Sequence, residues 1–172
     1  MKIFNCVIGY SKDEVLSDAF EMVEVGDVVY EVKTKMITKD TNVVVNTGAN
    51  ASEEENEDEG TDSSVVTVNN LVDAQRLVET SFTKKDYLTY IKGYMKAVQD
   101  YLMQNNPGRV DPFKKGAQDY VKKVLENFDQ YKFYTGENMD ADGIVILQFY
   151  KPDDATTPYF AYWKDGLLGQ KV

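Results

Sequence analysis

The sequence of 172 residues contains no histidine. That absence excludes Ser-His-Asp and Cys-His catalysis, histidine zinc ligation and a histidine proton shuttle. Cysteine occurs once, at Cys6. A single thiol leaves no CxxC metal pair, no dithiol redox couple and no internal disulfide, in agreement with a reducing compartment. On a strand it reads as a small buried hydrophobe rather than a nucleophile. No apolar run is long enough for a transmembrane helix. The opening MKIFNCVIGYSKDEV has one early lysine, then a short apolar stretch interrupted by Asn5 and Gly9. A secretory signal needs more, so this segment reads as a first strand and a cytoplasmic protein is expected. Asn50-Ala51-Ser52 matches a glycosylation acceptor, a match without meaning if no secretory route exists. Positive charge is also short: 19 Lys and Arg face 29 Asp and Glu, a net charge of −10. Neither general nor sequence-specific affinity for nucleic acid is expected from such a chain.

What is present points to one packed domain. Apolar residues make up 42%, including twelve Tyr, eight Phe and one Trp, enough for a core. KIFNCVI, DVVYEVKTKMI and NVVVN alternate and are rich in β-branched residues, predicting about three strands in residues 1–45, with Gly26-Asp27 as turn chemistry. DEVLSDAF between the first two is expected to form a short helical turn. GANASEEENEDEGTDSS follows, with seven acids among its seventeen residues. No Lys or Arg occurs from Asp40 to Gln75, and no apolar residue between Ser52 and Ser64. Crowded like charges with nothing to bury predict a long mobile acidic loop over 46–64. SSVVTVNNLV then reads as a further strand.

Two helices give the clearest local signal. Thr83 is a helix cap with Asp86 three residues on, a relative of the capping box. Apolar residues follow at Tyr87, Tyr90, Ile91, Tyr94, Met95, Val98, Tyr101 and Leu102, one stripe of an α-helix that ends near Asn105-Asn106-Pro107-Gly108. Asp111 as cap and Pro112 at the first helical position open a second helix, with its stripe at Phe113, Ala117, Tyr120, Val121, Val124, Leu125 and Phe128. The short link predicts an antiparallel helical hairpin over 83–128. That segment holds nine basic and five acidic side chains, whereas the rest of the chain is strongly acidic. The surplus is either an ordinary solvated face or a docking surface for an acidic partner such as tubulin or a nucleic-acid backbone. From Tyr131 strand signals return in YKFYTG, GIVILQFYK and TPYFAYWK. The order predicts an α+β domain in which strands from both ends of the chain meet.

Candidate chemistry is sparse. Asn138-Met-Asp140-Ala-Asp142-Gly143 imitates the start of a calcium loop, but its twelfth position is Phe149 and strand-like residues follow. It reads as a hairpin turn, with weak calcium binding left open at Asn138, Asp140 and Asp142 and at the acidic residues Glu53, Glu54 and Glu55. Ser52 stands before three glutamates, a setting suited to acid-directed phosphorylation. Asp13, Glu14 and Glu137 are exposed-type carboxylates that no motif pairs. No cofactor is required by anything in the sequence, and an enzyme is not expected.

Several segments together resemble one family. They are Gly48-Ala49-Asn50-Ala51-Ser52-Glu53, Glu79-Thr80-Ser81-Phe82-Thr83-Lys84, Tyr90-Ile91-Lys92-Gly93-Tyr94-Met95-Lys96, Phe133-Tyr134-Thr135-Gly136-Glu137-Asn138-Met139 and Lys164-Asp165-Gly166-Leu167. In this order, across the whole chain, they resemble the translationally controlled tumour protein family, also called histamine-releasing factor or fortilin. The resemblance implies a single domain over 1–172. It would have a β-tent core, similar to methionine sulfoxide reductase B, built from 1–45, 65–82 and 131–172. An acidic flexible loop at 46–64 and an inserted hairpin at 83–128 complete it. The reductase chemistry is not implied, since its cysteines have no counterpart here.

The resemblance also implies a cytoplasmic regulator of growth and stress survival, with non-classical secretion in some members. It implies weak calcium binding, association with tubulin or microtubules, and contacts with elongation factors and anti-apoptotic proteins. Nucleotide exchange on a small GTPase of the Rheb type is implied as well, through Glu14 and Glu137 with Asp13 beside them. The tubulin candidates are Lys84, Lys85, Lys92, Lys96, Lys114, Lys115, Lys122 and Lys123. Two extra residues relative to the family pattern lie around Gly9-Tyr10. Gln75-Arg76 stand where many relatives carry histidine, and Val172 stands where many carry a terminal cysteine implicated in dimerisation, so a monomer is expected.

Overall fold

The computed structural model describes residues 1–40 and 65–171. The acidic stretch 46–64, with Ser52, Glu53, Glu54 and Glu55, lies outside the described residues. In chain order the elements are β1 (Lys2–Cys6), β2 (Glu14–Ser17), β3 (Glu21–Val25), β4 (Val29–Lys33), β5 (Met36–Asp40) and β6 (Val65–Asn69). There follow α1 (Asn70–Gln75), β7 (Val78–Thr80), α2 (Lys84–Asn105), α3 (Val110–Glu126), β8 (Lys132–Thr135), β9 (Ile146–Lys151), β10 (Asp154–Trp163) and β11 (Leu167–Lys171). The fold is the expected α+β arrangement.

Among the described residues three sheets carry the strands, in orders β11-β1-β2, β3-β4-β10-β9-β8-β7 and β5-β6. The two ends of the chain do meet: β1 pairs antiparallel with β11, Lys2 opposite Lys171 and Cys6 opposite Leu167. The centre of the large sheet is covered on both faces. Phe160 to Trp163 in β10 and Ile146 to Phe149 in β9 are buried without a break, so alternation is lost where neither face meets water. At the edge, β3 instead exposes Glu21 and Glu24, charges that discourage pairing with another chain.

Local reasons for several elements were misjudged from sequence. DEVLSDAF is not helical: Glu14–Ser17 is strand β2, with Val15, Leu16 and Ser17 buried and Leu16 opposite Phe4. Burial against β1 overrides the helical preference of a short segment. Residues 1–40 hold five strands, each only four or five residues long, where the pattern predicts about three over 1–45; the expected strand NVVVN lies outside the described residues. SSVVTVNNLV stops as a strand at Asn69, whose side chain accepts N–H bonds from Leu71 (2.9 Å) and Val72 (3.1 Å) and so caps α1. That helix ends at Arg76, held left-handed at φ 55°. The final strand β11 carried no sequence signal, being short and mostly exposed.

The hairpin agrees with its pattern. Thr83 Oγ1 accepts the Asp86 N–H at 3.1 Å, capping α2. Tyr87, Ile91, Tyr94, Val98 and Leu102 are buried on α2, and Phe113, Ala117, Tyr120 and Val124 on α3. Each large side chain buried this way contributes about 1.5–3 kcal/mol. The start of α3 differs from expectation. It begins at Val110 straight out of a 3₁₀ turn, Pro107–Arg109, so Asp111 lies in its first turn rather than at a cap, and no side chain caps it. Gly116 lets α3 press on the β3–β4 turn. A Cβ there would stand 3.0 Å from the Gly26 carbonyl oxygen and 3.1 Å from Val28 Cβ.

The hairpin tip is tied down by charge. Arg109 donates to Asp165 at 3.1 and 2.6 Å, to the Asp27 carboxylate at 2.7 Å and to the Asp27 carbonyl at 2.7 Å. Lys164 adds 2.8 Å to Asp27 and 3.2 Å to Glu24. The hydrogen bonds from Lys164 and then Arg109 hold the Asp27 carboxyl at about 2. A buried carboxylate, Glu31, is met by Lys151 at 3.2 Å and by the Tyr120 hydroxyl, which donates at 3.2 Å.

Candidate functional site

Between α2 and α3 runs an open groove of about 520 Å³. Its floor is Leu88, Ile91 and Met95 from α2 and Ala117, Val121 and Leu125 from α3. Lys84, Lys92, Lys96, Lys114 and Lys122 line it, with Glu126 as the single carboxylate among the lining residues. The eight candidate lysines are all exposed, but five of them line the groove: Lys84, Lys92 and Lys96 from α2 and Lys114 and Lys122 from α3. Lys85, Lys115 and Lys123 do not line it, although Lys85 and Lys115 stand seven residues before Lys92 and Lys122, close to the same helical angle. Lys123 instead lies over the Tyr120 ring, 5.3 Å from its centroid. Lys96 has a carboxylate one turn on, Asp100, at 3.9 Å. On exposed side chains that contact is worth little.

The second place is the junction of the β1–β2 loop with the β8–β9 loop. Asp13 accepts the Asn138 backbone N–H at 3.1 Å and its side-chain amide as well. This contact places Glu14 and Glu137 on adjoining segments, both exposed, a pairing that sequence gave no reason to make. Glu137 also meets Arg76 at 3.3 Å across exposed surface. Asp140 is buried, and its carboxylate accepts N–H bonds from Tyr10 (2.8 Å), Ser11 (3.1 Å) and Asp142 (2.9 Å). Burial pushes this carboxyl up, but the N–H groups of Ser11, Asp142 and Tyr10 outweigh it and hold it below the ordinary value. The turn at Gly9-Tyr10 is thus fastened by Asp140. Gly9 has φ 92°, and a Cβ there would strike the Asp140 carboxylate.

The calcium-loop imitation is therefore a connection between neighbouring antiparallel strands. Asp140 spends both oxygens on backbone N–H groups, leaving Asn138 and Asp142 exposed on the same loop. Among the described residues no three His, Cys, Asp or Glu side chains gather as a metal site.

Two side chains read from sequence only as core residues brace this junction, Tyr90 tying it to the hairpin and Cys6 tying β1 to the β8–β9 loop. The Tyr90 hydroxyl donates to the Gly143 carbonyl at 2.7 Å and accepts the Val145 N–H at 3.0 Å. Cys6 Sγ donates to the Ile8 carbonyl at 3.0 Å and accepts the Ile144 N–H at 3.3 Å. The thiol is buried, and desolvation pushes it up, so it packs rather than reacts. The signal for both was present only as one stripe tyrosine and one strand cysteine.

The structure is an α+β body that carries a lysine-bearing helical hairpin. The profile of the translationally controlled tumour protein family matches residues 1–168, and the chain belongs to that family. The translationally-controlled tumor protein homolog 1 of Dictyostelium discoideum is 59% identical over 174 residues, covering 99% of each chain. The homolog of Yarrowia lipolytica is 52% identical over 172 residues, covering 100% of each. Among solved structures, the translationally controlled tumor-associated protein of Schizosaccharomyces pombe superposes with TM-score 0.83 at 47% identity over 100% of both chains. The Caenorhabditis elegans protein gives 0.70 at 32% identity, covering 100% of this chain and 99% of that one. None of these names denotes an enzyme. Among the described residues no helix is long and apolar enough to cross a membrane.

Proposed function

We propose that this chain is a non-enzymatic cytoplasmic interaction protein that regulates growth and stress survival by docking acidic partners on its helical hairpin, with tubulin or microtubules as the foremost partner. The observation that carries the reading is the gathering of Lys84, Lys92, Lys96, Lys114 and Lys122 along one groove on a chain of net charge −10. A basic stripe on an acidic body orients an acidic partner before contact. Elongation factors and anti-apoptotic proteins belong to the same proposal, by the family's resemblance alone. Weak calcium binding is an accessory property, resting on Asn138 and Asp142 and on Glu53, Glu54 and Glu55. Replacing Lys84, Lys92, Lys114 and Lys122 together by Glu tests the main reading. Co-sedimentation with microtubules at low salt is expected to disappear, and unchanged pelleting refutes the assignment.

A second reading is nucleotide exchange on a small GTPase of the Rheb type. It is favoured by the Asp13–Asn138 contact, which sets Glu14 and Glu137 on neighbouring segments. Release of a labelled guanine nucleotide must be accelerated by the chain and must fall in Glu14→Val. If the chain gives no acceleration, this reading is discarded.

A further inference from the structure

The hairpin groove has a property that charge alone does not require. Its floor is apolar along its length: Leu88, Ile91, Met95, Ala117, Val121 and Leu125. Leu88 is 37% exposed, and Met95, Val121 and Leu125 are only half-buried. An extended acidic tail needs lysines and nothing else. A floor of this kind offers contact to apolar anchors, as in grooves that take amphipathic helices. The lining residues of α2 run from Lys84 to Gln99, about 22 Å or roughly four helical turns.

We propose that this groove binds an amphipathic helix whose apolar stripe repeats every three to four residues and whose flanks carry Asp and Glu, laid along the hairpin as a third helix. The proposal rests on the reading of the hairpin as the docking face and gives the partner a shape. Charge complementarity selects the acidic flanks, because five lysines and one carboxylate rim the floor. A second copy of this chain fits poorly, since a two-fold contact would set five lysines against five. The chain's own acidic stretch has no apolar residue between Ser52 and Ser64 to fill the floor. A bilayer takes up protruding apolar side chains, whereas these line a recess.

The probe is a fluorescein-labelled peptide of about four helical turns, Leu on one stripe and Glu on the flanks. Three controls accompany it: a scramble of the same composition, an all-Glu peptide, and vesicles rich in phosphatidylserine. Anisotropy with the full chain is expected to saturate for the amphipathic peptide and to weaken at least about tenfold for the scramble and the all-Glu peptide. Leu88→Glu, at an exposed position that leaves folding intact, is expected to weaken it by a similar factor. Equal binding of the scramble, indifference to Leu88→Glu, or tighter binding to vesicles than to the peptide overturns the proposal. Peptide binding with no microtubule association would instead overturn the tubulin reading and leave the helix site standing.

Discussion

Arg109→Met tests how the hairpin is fastened to the sheet. The guanidinium side chain is 18% exposed and the Asp165 carboxylate 8%. They share two hydrogen bonds at 3.1 and 2.6 Å. Methionine keeps most of the stem's packing and removes the charge, stranding Asp165 where water reaches it poorly. Breaking a buried pair costs about 3–5 kcal/mol, and the residual exposure of Arg109 puts this case at the low end, about 3 kcal/mol. The second partner, Asp27, is 57% exposed and adds far less. For a chain of this size about 3 kcal/mol lowers the melting temperature by about 6–12 °C. Urea unfolding read by the single tryptophan suits the measurement. Trp163 is 1% exposed and meets the Tyr120 ring edge-on at 5.6 Å, so its emission reports the hairpin–sheet contact directly. Adding Asp165→Asn to Arg109→Met removes the stranded charge and should return at least about 1 kcal/mol as coupling. A loss below about 1 kcal/mol for Arg109→Met, or a larger loss for Asp27→Ala, would refute the account of the tip as a buried clasp.

Three further outcomes are expected. Tyr90→Phe leaves the Gly143 carbonyl and the Val145 N–H without their shared hydroxyl. It should cost about 1–3 kcal/mol in urea unfolding, and the Val145 amide should exchange faster with deuterium than in the parent. Gly136→Ala sets a Cβ 2.6 Å from Asp13 Oδ2 and 2.8 Å from Asp13 Cβ. The expected destabilisation is about 1–3 kcal/mol, with amide shift changes confined to residues 13 and 138 and their neighbours. Acid stability follows from two carboxyls held below their ordinary values, Asp27 at about 2 and Asp140. A lowered folded pKa means a contribution fully present above the unfolded value, about 3.9, and lost as pH falls through the folded one. The urea midpoint should therefore carry their full contribution, unchanging with pH, between pH 7 and about 5 and lose it below about pH 4. Asp140→Asn should flatten that acid limb, and an identical limb in the variant would count against the assigned role.

Sequence reached those parts of the fold whose cause is local. The stripe from Tyr87 to Leu102 repeats with the helix, and every member is buried or packed against the core. The cap at Thr83 needs only its own next three residues. The runs that became β8, β9 and β10 were legible because their apolar density exceeds what a surface could hold. Elements decided by distant partners were not legible. β2 is a strand because β1 lies beside it, and β11 because β1 offers its other edge. The site followed the same division. Sorting the lysines into five and three needed the packed pair of helices, because the helical period sets Lys85 beside Lys92 and Lys115 beside Lys122. The meeting of Asp13 with Asn138 spans 125 residues of chain, and no spacing rule covers that separation. Arg109 read as one more basic residue of the hairpin, since both of its carboxylate partners come from turns far away in sequence.

The pairing of β1 with β11 has a consequence for synthesis. Strand β1 finds one of its two neighbours only when residues 167–171 have been made. Until then Phe4 and Cys6, buried in the finished protein, belong to a strand with a bare edge. At about 5–20 residues added per second, translation holds that edge open for roughly ten seconds or more. During that interval β1 is open to aggregation and to capture by a chaperone.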